Sequence, residues 1–196
     1  IAWLAHRLVS QFDEDDKAIF NTVLVVTDRV IVDRQLQEAV RKLDHKAGLI
    51  RVIDNQSTSA DLAVALQGRA KIICTTLQKF PYVLDSVRQL KDRRFAVIID
   101  EAHSSTSGKN MGALTRTLSK DDDTFETIED KFTDDIRKHG KQENVSFFAF
   151  TATPKATTIE LFGTLNCYGH KQAFHLYSMK QAIEEGFILD VLSNYV

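Results

Sequence analysis

Residues 95–103 read Phe95-Ala96-Val97-Ile98-Ile99-Asp100-Glu101-Ala102-His103. The apolar part shows no polar alternation. It reads as a strand buried on both faces, as in a parallel sheet covered by helices on either side. The run then ends in two adjacent carboxylates, which are costly to bury unless they have a partner or a task. In open α/β sheets the carboxyl edge is where ligands bind. An Asp at such a tip can hold Mg²⁺, and a neighbouring Glu can orient or activate a water that attacks a phosphate. The stretch therefore predicts an α/β fold with a phosphoryl-transfer centre at one strand tip. Asp100 would be the metal partner, through water, Glu101 the base, and His103 the link to neighbouring groups. The plain alternative is a solvated acidic strand end.

The same pattern recurs on either side. Val23 to Val26, Ile50 to Ile53, Lys71 to Cys74 and Val145 to Phe150 read as further short strands. Between them, helical spacing runs over residues 1–11, through Ile31, Leu36, Val40 and Leu43, and through Leu62, Ala65 and Leu66, ending near Gly68. Ser57 to Ser59 offers N-cap chemistry. The stretch after Thr76 is helical with a break expected at Pro81. Strands alternating with helices argue a mainly parallel sheet with right-handed crossovers and helices on both faces. Beyond His103 the pattern loosens. Residues 104–110 and 120–140 are polar, and a flexible insertion is expected near 104–140. A helix follows near Thr157 to Phe162, and another from Ser178 with a Gly186 stop. Phe187 to Val196 is expected to be extended.

Composition narrows the class. Of 196 residues, 43% are hydrophobic and 27% charged, as in an ordinary globular protein. The formal net charge of −2 gives no global nucleic-acid signature. Cys74 and Cys167 suggest neither a disulfide framework nor a zinc site, and a reducing cytoplasm fits best. No apolar run is long enough to span a bilayer, so no membrane partner is expected. The histidines show no metal-ligand spacing. The chain begins on helical spacing with no N-cap, as a piece of a longer protein would.

Three other strand ends are polar. Thr151 and Thr153, in Thr-Ala-Thr-Pro after the 145–150 strand, could reach the acids of a neighbouring strand and couple hydrolysis to movement. Capping of the next helix is the alternative. Thr27 with Arg29, and Thr75 with Thr76, carry hydroxyls and a guanidinium suited to phosphate contacts. Helix capping is again the alternative for each. A G-x-x-x-x-G-K-[ST] loop is absent; Gly108-Lys109 lacks the spacing. Such a loop would have to supply the β- and γ-phosphate contacts.

Taken in order, Thr27-Asp28-Arg29, Thr75-Thr76-Leu77-Gln78-Lys79-Phe80, Asp100-Glu101-Ala102-His103 and Thr151-Ala152-Thr153-Pro154 resemble motifs Ia, Ib, II and III of superfamily 2 helicases and translocases. The wording VVTDRVIVDRQL at 25–36, TTLQKF at 75–80, IIDEAHSS at 98–105 and YSMKQAIEEGFILDVLSNY at 177–195 resembles the motor (restriction) subunit of type I restriction-modification enzymes. The resemblance spans nearly the whole chain. It implies a RecA-like first motor domain of the P-loop NTPase type over residues 1–176, lacking its phosphate loop, and a connector toward a second motor domain over 177–196. It also implies ATP and Mg²⁺ as cofactors, with double-stranded DNA and the modification and specificity subunits as partners. Asp100 and Glu101 match the metal-binding and water-activating acids, and His103 the motif's coupling residue. Thr151 and Thr153 match the motif III hydroxyls; Thr27, Arg29, Thr75 and Thr76 match the DNA-facing edge. The phosphate loop, the arginine finger and a nuclease motif have no counterpart in the chain, so this piece alone is expected not to turn over ATP. Another superfamily 2 DNA helicase, or a non-catalytic DNA-binding module of the same fold, stand as alternatives.

Overall fold

The computed structural model describes residues 1–27, 38, 49–53, 57–68, 70–77, 80–100 and 143–190. Within them lies a parallel sheet of five strands: β1 (Thr22–Thr27), β2 (Ile50–Ile53), β3 (Ile72–Thr76), β4 (Phe95–Ile99) and β5 (Val145–Ala149). Their order across the sheet is β2-β3-β1-β4-β5, and every pairing is parallel. The expected α/β architecture with a parallel sheet is therefore what the chain adopts. β1, β3 and β4 are buried along their whole length, which explains their unbroken apolar runs.

Alternating side chains feed two apolar layers. Val23, Val25, Ile72, Cys74, Ala96 and Ile98 face helix α1 (Ala2–Val9), which contributes Ala5 and Leu8. Leu24, Val26, Ile73, Val97 and Ile99 face the opposite way, toward helices α2 (Ser59–Gln67) and α3 (Phe80–Gln89). Those helices supply Leu62, Ala65, Leu66, Phe80, Val83 and Val87. Helices thus cover both faces.

Local chemistry sets the helix ends. Thr58 caps α2 in a reciprocal box: its hydroxyl accepts from the Asp61 N–H, and the Asp61 carboxylate accepts from the Thr58 N–H and O–H. Gly68 ends that helix by close approach and not by a left-handed turn. A Cβ there would lie 2.5 Å from the Val64 carbonyl oxygen. Pro81 does not break α3. It falls in the first turn, where a missing N–H is no loss.

After β5 come α4 (Ala156–Phe162), a two-stranded antiparallel pair β6 (Thr164–Leu165) and β7 (Lys171–Gln172), and α5 (Met179–Glu184). The β6–β7 pair was not expected; strands of two residues leave no periodicity to read. Gly186 ends α5 as expected, with φ of 75°. Its N–H bonds the Ile183 carbonyl and the Phe187 N–H bonds that of Ala182, closing the left-handed turn characteristic of glycine. Residues 187–190 form no strand, contrary to the extended reading, because Phe187 and Ile188 fold back onto the Ala182 carbonyl. Of the expected helix through Ile31 to Leu43 only Glu38 is described, and it is helical; the insertion near 104–140 lies outside the described residues. Among the described residues no helix is long and apolar enough to cross a membrane.

Candidate functional site

Because every strand is parallel, their carboxyl ends share one edge. Thr27 pairs with Thr76, and Val26 with both Thr75 and Ile99. The ladder continues past β4: the Asp100 N–H donates to the Val26 carbonyl at 2.9 Å. The Phe150 N–H donates to the Ile99 carbonyl, also at 2.9 Å. Asp100 therefore stands beside Thr27 on one side and Phe150 on the other. Thr151 follows directly, so Asp100 and Thr151 lie at neighbouring strand tips on the same edge. Asp100 is half-buried, Thr151 is half-buried and Thr153 is exposed.

The Thr151 hydroxyl accepts from the Thr153 N–H at 3.2 Å, which tightens the turn after β5. Helix α4 starts later, from Lys155, with no side-chain cap. Capping by Thr153 is thus not how this turn is used.

Thr27, Thr75 and Thr76 are 1%, 0% and 4% exposed. None of their hydroxyls has a hydrogen-bond partner among the described residues. Residues 28–37 after Thr27, and 78 and 79 after Thr76, lie outside the described ones, and the capping alternative with them. Burial of the three threonines also changes what they could do for DNA. At that exposure the three offer almost no surface for a phosphate to touch. Alternation separates the three: Thr27 and Thr76 lie on the α1 face, and Thr75 on the α2–α3 face. Glu101, His103 and Arg29 lie outside the described residues.

The opposite edge holds residues that the sequence did not single out. Thr22 is fully buried, donates to the Ala70 carbonyl at 3.2 Å and accepts from Arg93 Nη2 at 3.3 Å. Arg93 also bonds the Leu66 carbonyl at the end of α2. Asn144 Nδ2 lies 3.4, 3.2 and 3.2 Å from the carbonyl oxygens of Val87, Leu90 and Arg93, closing the carboxyl end of α3. This edge is a structural clamp. Asn144 sits in a polar stretch before a strand, and nothing in its spacing marks it.

Among the described residues, no group of three His, Cys, Asp or Glu side chains could hold a metal ion by itself. Asp100 near hydroxyls offers hard oxygen donors only. That donor set fits Mg²⁺, which is commonly held by one or two carboxylates with phosphates and water completing its shell.

Comparison with known proteins adds the family. Among solved structures, the Hef helicase domain of Pyrococcus furiosus is similar, at 19% identity and a TM-score of 0.49. The match covers 81% of this chain and 29% of that one, so the chain spans well under half of that protein's length. None of the curated proteins matches. The pattern of the SWI2/SNF2 ATPase family matches residues 2–195, nearly the entire chain. With a parallel sheet that gathers an acid and paired hydroxyls on its carboxyl edge, this chain belongs to the SWI2/SNF2 ATPase family.

Proposed function

We propose that this chain is the ATP-binding motor segment of a type I restriction enzyme's motor subunit. The whole protein would translocate duplex DNA at the expense of ATP and cut it through a nuclease domain. It would act with modification and specificity subunits in the cytoplasm. The observation that carries the reading is the juxtaposition of Asp100 and Thr151 at adjacent strand tips, within a chain of an ATPase family. The wording at 25–36, 75–80, 98–105 and 177–195 supports the restriction assignment over other DNA helicases.

In this reading Asp100 holds Mg²⁺ through water and Glu101 polarises the attacking water. Bound Mg²⁺ would offset charge developing on the transferred phosphate. His103 links the acids to neighbouring groups. Arg29 meets the DNA backbone, and Thr27, Thr75 and Thr76 belong to the same DNA-facing edge, where all three are buried. Thr151 and Thr153 carry the state of the nucleotide site to the turn after β5.

The test is Glu101→Gln in the full-length protein, assayed for ATP binding, DNA-stimulated ATP hydrolysis and translocation along duplex DNA. The amide keeps the size but is a poor base, so the loss should fall on the chemical step while binding persists. Near-normal turnover would reject the role of Glu101. Turnover that is stimulated by duplex DNA but drives no movement along it would reject the translocase reading.

A further inference from the structure

We draw no further inference here: the strongest candidate, the apolar surface that the segment from the β6–β7 hairpin to the turn after α5 leaves exposed through Leu165, Tyr168, Phe174, Leu176, Phe187 and Leu189, carries none because nothing in the structure shows what covers it.

Discussion

The side-chain amide of Asn144 donates to the Arg93 carbonyl at 3.2 Å, tying the residue before β5 to the residues that lead into β4. The same nitrogen lies within bonding distance of Val87 and Leu90, so one side chain serves the last carbonyls of α3. The Asn144 carbonyl meanwhile accepts from the Phe95 N–H at 2.8 Å. Asn144→Ala should therefore destabilise the fold by about 1–2 kcal/mol, the cost of leaving part-buried carbonyls unpaired. Asn144→Asp should be worse, because it removes the donors and adds negative charge at a helix carboxyl end. Denaturant unfolding of the three proteins checks the order. An Asp variant as stable as the Ala variant would contradict the helix-end account.

Thr22 and Thr75 should respond to the same substitution with opposite signs. Thr22→Val deprives the Ala70 carbonyl and the Arg93 guanidinium of their shared partner, at a cost of roughly 1–3 kcal/mol. Thr75→Val removes a hydroxyl with no partner from the apolar α2–α3 face, and should be neutral or stabilising by up to about 1 kcal/mol. Thermal melts of the two variants decide it. Destabilisation by Thr75→Val would show that its hydroxyl has a partner after all.

The fold was legible because burial is written into β1, β3 and β4. A strand covered on both faces must be apolar at every position, and Val23 to Val26, Ile72 to Cys74 and Phe95 to Ile99 are. The tips were legible because polar residues end those runs abruptly. What stayed hidden depends on distance across the chain. Asn144 reads as an ordinary loop residue until α3 is placed beside it. Thr22 and Thr27 look alike in sequence, yet only the first meets a guanidinium from residue 93. Pro81 was read as a break because its position relative to the helix start is set by the β3–α3 connection and not by the proline.

The α2 capping box should carry a pH dependence. The Thr58 hydroxyl and then the Thr58 N–H, both donating to the Asp61 carboxylate, hold that group below its ordinary value of 3.8. A depressed folded-state value means that the stabilisation is complete above the unfolded-state value. It is lost as pH falls through the folded-state value. Wild type should therefore exceed Asp61→Ala in stability near neutral pH, and the difference should shrink below about pH 4. Hydrogen exchange at the amides of residues 59–62 gives the local readout. A difference independent of pH would mean that the ionised carboxylate is not what caps the helix.

The turn after β5 should separate hydrolysis from movement. Thr151 lies one residue beyond Phe150, which is laddered to Ile99, so this turn begins beside the tip that carries Asp100. Its shape depends on the Thr151 hydroxyl accepting from the Thr153 N–H. Thr151→Val keeps the size and loses that acceptor. Thr153→Ala keeps the backbone donor and loses only an exposed hydroxyl. If the turn reports the state of the nucleotide site to DNA, Thr151→Val in the full-length protein should reduce translocation much more than ATP hydrolysis, raising the ATP used per base pair travelled. A tenfold change in that ratio corresponds to about 1.4 kcal/mol of lost coupling, within reach of one hydrogen bond. Thr153→Ala should change the ratio less. Parallel measurement of ATPase rate and translocation rate on duplex DNA checks both variants. Equal losses of the two rates in Thr151→Val would place the residue in the chemical step and remove the case for a relay through the turn.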